Sequence, residues 1–169
     1  MPDPDCADKG IPEHLHRCDR GASEIPDGTL AYRRFRASVT VDKDGNEDLF
    51  LGISFSSNQS SINRADLCEA PSDVLFNSMQ GGQYEGYGVL SFPIDILKAT
   101  ASAPLEVENN SDRYVVSVEH SPDQCNYAHC NLVVRKNGEP VPKIKPTTVK
   151  SQLRSLIADS LSIQLSAVT

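Results

Sequence analysis

The period of the apolar positions changes several times along this chain, and the changes divide it into elements. Residues 30–36, from Leu30 through Tyr32 and Phe35 to Arg36, lead into Ser38-Val39-Thr40-Val41. There polar and apolar side chains alternate as in a half-buried strand. Residues 42–48, with three Asp, Gly45 and Asn46, supply turn chemistry, and residues 49–55 repeat a strand composition. The two runs predict a hairpin. Val89-Leu90-Ser91-Phe92 predicts a buried strand, Tyr114-Val115-Val116-Ser117-Val118 the clearest strand of the chain, and Leu132-Val133-Val134-Arg135-Lys136 another, stopped by Asn137-Gly138.

Helical spacing is confined to shorter stretches. Ile62, Ala65, Leu67 and Cys68 read as helix broken by Pro71, with a restart capped by Ser72. Pro93 suits the first turn of a short helix through Ile94, Ile96, Leu97 and Ala99. Val149, Leu153, Leu156, Ile157 and Leu161 recur at i, i+4, i+7, i+8 and i+12, the stripe of an amphipathic helix. Residues 1–28 carry Pro2, Pro4, Pro12 and Pro26 and few large apolar side chains, so they predict an extended arm or loop, with room for one helical turn at 12–17. Residues 81–88 form a glycine-rich loop with two tyrosines. The expectation is an α+β fold: a mainly antiparallel sheet with short helices and an amphipathic C-terminal helix. The arm covers 1–28 and a single domain 29–165.

Charge narrows the partners. The 169 residues carry a net charge of −7, which works against general attraction to nucleic acid or anionic lipid. No apolar run has the length of a membrane span, and the acidic, proline-rich start does not resemble a secretory signal, so cytoplasmic residence is expected. Residues 133–154 hold 6 basic residues against 1 acidic, whereas residues 1–28 hold 3 against 7. The acidic arm is therefore expected to dock on the basic stretch. Asp42-Lys43-Asp44-Gly45 resembles the start of a calcium loop, but Gly45 falls early and Ile53 stands where the closing glutamate belongs, which leaves a hairpin turn.

All four histidines lie near cysteines, in two groups at opposite ends: Cys6, His14, His16 and Cys18, then His120, Cys125, His129 and Cys130. Thiolates and imidazoles are zinc ligands, so Cys125, His129 and Cys130 are candidate ligands, although His129-Cys130 is closer than knuckle spacing. An imidazole beside a thiol is also the arrangement of a cysteine nucleophile. Five cysteines is an odd number without the spacing of a disulfide framework.

Arg33, Arg34 and Arg36 open the first strand, and alternation sets Arg33 with Phe35 on one face and Arg34 with Arg36 on the other. An inward arginine calls for a carboxylate or phosphate. Tyr32-Arg33-Arg34, Ser54-Phe55-Ser56 and Gln83-Tyr84-Glu85 follow one another in the order of the Arg, Ser-x-Ser and Gln-x-Glu elements, which resembles ADP-ribosyltransferases. The resemblance implies NAD as cofactor, Arg33 or Arg34 with Ser54 and Ser56 shaping its pocket, and Glu85 orienting the ribose. The intervals are shorter than that family's. A broader run, from Leu30 to Arg34, Ala65 to Leu67, Gly88 to Phe92, His120 to Pro122 and Ala128-His129, is similar to small uncharacterised bacterial proteins. It implies no activity and singles out Arg33, Arg34 and His129. No strong catalytic motif is present, so the expected role is a small accessory module, of bacterial type, acting on a protein partner. A transferase using Arg33, Arg34, Glu85 or His129 is one alternative, and a zinc domain the other.

Overall fold

The structure, a computed structural model, describes residues 2–37, 61–108, 110–142 and 144–168. The expected hairpin of 38–55, with Ser54 and Ser56, lies outside the described residues. Among the described residues eight strands build one antiparallel, curled sheet: β1 (Leu30–Phe35), β2 (Ser61–Arg64), β3 (Gly88–Pro93), β4 (Leu105–Glu106), β5 (Arg113–His120), β6 (His129–Lys136), β7 (Glu139–Pro140) and β8 (Ser162–Leu165). Their order is β4-β5-β6-β2-β1-β3-β8, with β7 added to β6. With α1 (Pro4–Asp8), α2 (Asp95–Ser102) and α3 (Thr147–Ile157), the α-helices of the described residues, the fold is α+β.

Alternation along the strands places the main core. Ala31, Phe35, Ile62, Leu90, Phe92, Tyr114, Val116, Cys130, Leu132 and Val134 lie at alternate positions and are buried together. Leu97 of α2 and Val149, Leu153 and Ile157 of α3 close over them. The spacing of α3 is the one expected, but the helix ends at Ile157 and a short turn carries the chain through Ser160. After Leu161, the four residues Ser162–Leu165 pair with β3, Val89 opposite Leu165 and Ser91 opposite Ser162. This edge strand escapes sequence reading because four residues, Ser162-Ile163-Gln164-Leu165, are too few to establish a period. Asn137 and Gly138 both have positive φ, 51° and 87°, which is the backbone of a two-residue hairpin turn joining β6 to β7.

The expectation of a helix at 62–68 is corrected. Residues 61–64 form β2, with Ile62 opposite Cys130 and Asn63 opposite both His129 and Tyr32. Burial of Ile62 between two strands outweighs a short helical spacing in which β-branched and Asn residues have little preference for helix. Two tight 3₁₀ turns follow, Ala65–Leu67 and Pro71–Leu75. Asp73, not Ser72, tethers the second turn, its carboxylate accepting from the N–H groups of Glu69 and Ala70 at 2.8 and 3.4 Å.

The N-terminal segment is more built than an extended arm. Asp3 caps α1 by accepting from the N–H groups of Asp5 and Cys6, and residues 13–15 make the single turn expected there. Cys6, Ile11, Leu15 and His16 are buried. They do not dock on the basic stretch. Cys6, Ile11 and Leu15 pack with Cys125 and Ala128, flanked by Leu67, Cys68 and Phe76, to form a second, smaller core. Apolar burial decides the docking, while Arg135 and Lys136 of the basic stretch pair with Glu119 and Asp112. No helix among the described residues is long and apolar enough to cross a membrane.

Candidate functional site

The two Cys/His groups do meet, but through a covalent bond. Cys6 and Cys125 form a disulfide across 119 residues, with Cα atoms 5.3 Å apart. Main-chain bonds run alongside it, from Arg17 N to Gln124 O at 2.8 Å and from Tyr127 N to Leu15 O at 2.7 Å. His16 accepts from Asp3 N–H at Nδ1 and donates from Nε2 to Ile11 O. His120 accepts from Ser23 N–H at Nδ1 and donates from Nε2 to Tyr127 O. His14 pairs with Asp73 at 2.7 Å and lies 3.6 Å from Glu69.

The proposed ligand set Cys125, His129 and Cys130 does not converge. Cys125 has given up its thiol to the disulfide. His129 and Cys130 are adjacent on β6 and project to opposite faces of the sheet. Cys130 faces the core, where burial pushes its thiol up to about 12, far from a thiolate ligand or nucleophile. Cys68 is likewise raised to about 12, first by burial and then by the charge of Asp73. Among the described residues, no three His, Cys, Asp or Glu side chains are grouped to hold a metal ion.

The arginines separate as alternation requires. Arg33 lies on the core side, its Nη1 donating to Ser61 O while its buried Nε has no partner. Burial and the neighbouring Arg34 lower its pKa to about 10. Arg34 stacks on the Tyr84 ring at 4.1 Å, and Arg36 lies 5.1 Å from the Tyr87 ring and donates to the Tyr87 hydroxyl. Tyr84 and Tyr87 are themselves in contact, with centroids 5.3 Å apart. Glu85 stands exposed between them. Positive φ at Gly81, Gly82 and Gly86 lets this loop fold back, and a Cβ at Gly81 would come within 3.1 Å of Lys9 O. The structure thus brings Arg34 to the Gln83-Tyr84-Glu85 segment.

It brings Arg33 and His129 to a different residue, Ser61. The His129 Nδ1 lies 2.6 Å from Ser121 O. A carbonyl oxygen only accepts, so Nδ1 carries the proton and Nε2 presents a lone pair. That lone pair faces the Ser61 hydroxyl at 3.1 Å. The Asp123 carboxylate lies 3.8 Å from Nδ1. Ser61 was invisible to sequence reading, because 68 residues separate it from His129 and no motif marks it. Register brings them together: Asn63 is opposite His129 and Ser61 opposite Asn131, so all four side chains share one face.

Comparisons with family models, with curated proteins and with solved structures find no match to this chain.

Proposed function

We propose that this chain is a small recognition module that engages a protein partner through the Arg34, Arg36, Tyr84 and Tyr87 face. The observation that carries the reading is the pair of arginine–tyrosine stacks. A guanidinium lying on an aromatic ring keeps its in-plane N–H groups directed outward, where they match a carboxylate in a two-point fork. Tyrosine and arginine are also the residues that concentrate binding energy at interfaces. On a chain of net charge −7, this face offers an acidic segment two guanidinium groups side by side. Titrating a fluorescent hexaglutamate peptide tests the reading by anisotropy. Binding should weaken with salt and fall at least about tenfold in Arg34→Ala/Arg36→Ala. Wild-type protein that does not bind, or binds no better than this variant, rules it out.

We further propose that the module works in an oxidising compartment. The Cys6–Cys125 disulfide supports this setting over a cytoplasmic one, because reducing compartments keep such pairs as thiols. Alkylation of denatured native protein with and without prior reduction should differ by two cysteines, Cys6 and Cys125.

One observation favours a second reading, an NAD-using transferase of ADP-ribosyltransferase type: Arg34 stacks on the middle residue of the Gln83-Tyr84-Glu85 segment. NAD should then raise the melting temperature of the wild type and of Glu85→Gln, and transfer should be lost only in the variant. No shift at millimolar NAD removes this reading.

A further inference from the structure

We propose that Ser61 is a nucleophile activated by His129, acting on carboxylic esters. The argument begins with the four histidines compared. His16 and His120 have both ring nitrogens bonded to main-chain groups, an N–H on one side and a carbonyl on the other; the Ser23 hydroxyl also lies 3.3 Å from His120 Nδ1, but the lone pair there is taken by Ser23 N–H at 2.9 Å. Those are bonds that hold a fold together. His14 is clamped by a buried carboxylate. His129 differs in that its protonated nitrogen is fixed by Ser121 O while its basic nitrogen is aimed at a hydroxyl. This is the order of parts that nucleophilic serine requires: hydroxyl, basic nitrogen, and an acceptor that fixes the tautomer.

The surroundings hold that geometry. Ser61 is the first residue of β2, pinned to β6 by its pairing with Asn131 and held from the other side by Arg33 on its carbonyl. Two strands therefore fix the distance between oxygen and nitrogen. Ser61 is only half-buried, so its oxygen lies near the surface, while His129 is nearly enclosed. Asp123 beside Nδ1 stabilises the imidazolium that forms when the hydroxyl gives up its proton.

The chemistry closes without another reagent than water. The Ser61 oxygen bonds to the acyl carbon as its proton passes to His129 Nε2, and the carbonyl electron pair moves onto oxygen. Collapse of the tetrahedral adduct breaks the bond to the alcohol, which leaves with the proton from Nε2. Water then attacks the acyl-serine with His129 again as base, releasing the acid and restoring the hydroxyl. His129 and Ser61 would be the catalytic residues, and Asp123 a positioning residue.

Diisopropyl fluorophosphate tests this directly on the full chain, with the modified residue located by mass spectrometry. The expected result is a single phosphoryl adduct on Ser61. It should form at least about tenfold faster than in urea-unfolded protein or in His129→Gln, with a rate that rises with pH as proton transfer to a neutral imidazole requires. Asp123 is half-exposed, so Asp123→Asn should fold. That variant should lose about threefold in rate and move the pH profile, an effect a purely structural aspartate would not produce. An unmodified Ser61, labelling spread over other serines, or an equal rate in a folded His129→Gln or in Asp123→Asn would overturn the assignment. The outcome is independent of peptide binding at Arg34 and Arg36, so either reading can fail alone.

Discussion

The two cores of this molecule are built on different terms. The larger one joins Phe92, Leu132, Leu153, Ile157 and their neighbours between the sheet and two helices, and buried apolar surface alone accounts for it. The smaller one has Ile11 and Leu15 as its large fully buried aliphatics, and it is closed by the Cys6–Cys125 disulfide and main-chain bonds to residues 124 and 127. A cluster that small cannot offset the entropy of ordering a 28-residue segment by burial. The covalent link supplies what burial lacks, by constraining the unfolded chain. The candidate serine–histidine pair sits beside this second region, since His129 follows the loop that the disulfide anchors.

Removing the link should have the largest effect. Replacing Cys6 and Cys125 together by Ser opens a loop of 119 residues, for which chain entropy gives an upper figure of about 5 kcal/mol. Guanidinium denaturation should show a loss of about 2–5 kcal/mol, and limited proteolysis should cut first within residues 1–28 while the sheet survives. An unchanged midpoint would mean that hydrogen bonds hold the arm without the disulfide, and the contrast between the cores would fail.

The complementary change is Leu153→Ala, in the larger core. Leu153 is 1% exposed, and truncation should cost about 3 kcal/mol through lost burial and the cavity left behind. Protease resistance of residues 1–28 should follow global unfolding only. Gly88→Ala tests the edge of the same core more gently. A Cβ there would fall 2.5 Å from Phe35 Cε1 and 2.6 Å from Leu165 O and Ala167 N, so β8 must shift away from β3. A cost of roughly 2 kcal/mol is expected, with the faster amide exchange confined to residues 162–168.

The larger core was legible because its information is periodic. Val149, Leu153 and Ile157 announce α3, and the runs at 89–92, 114–118 and 132–136 announce β3, β5 and β6. Periodicity is read from neighbours in sequence. The smaller core depends on pairings with no local trace: Cys6 with Cys125, Leu15 with Tyr127, Asp3 with Gln124. The two Cys/His groups offer a zinc site or a thiol nucleophile as alternatives without showing that they meet, and the structure joins them by a disulfide. His129 was singled out from sequence and its partner Ser61 was not, because their register across β2 and β6 exists only once the sheet has formed.

The smallest expected effect separates the two regions by acidity. His120 closes β5 and links the arm to the loop, accepting from Ser23 N–H and donating to Tyr127 O, with its ring edge-on to Tyr127. Burial, reinforced by the nearby Arg64 guanidinium, holds its pKa below the ordinary 6.5. The unfolded chain therefore takes up a proton on this ring before the folded chain does. Stability is fully present above about pH 6.5 and declines as the pH falls below it, since the unfolded state then binds more protons. His120→Gln removes that titration, so its melting temperature should depend less steeply on pH than the wild type's between 7.5 and 5. The wild type's extra acid sensitivity should appear as faster cleavage within residues 1–28, with little change in amide exchange along β5 and β6. Equal slopes for the two proteins would show that the imidazole takes its proton inside the fold without disturbing the junction between arm and loop.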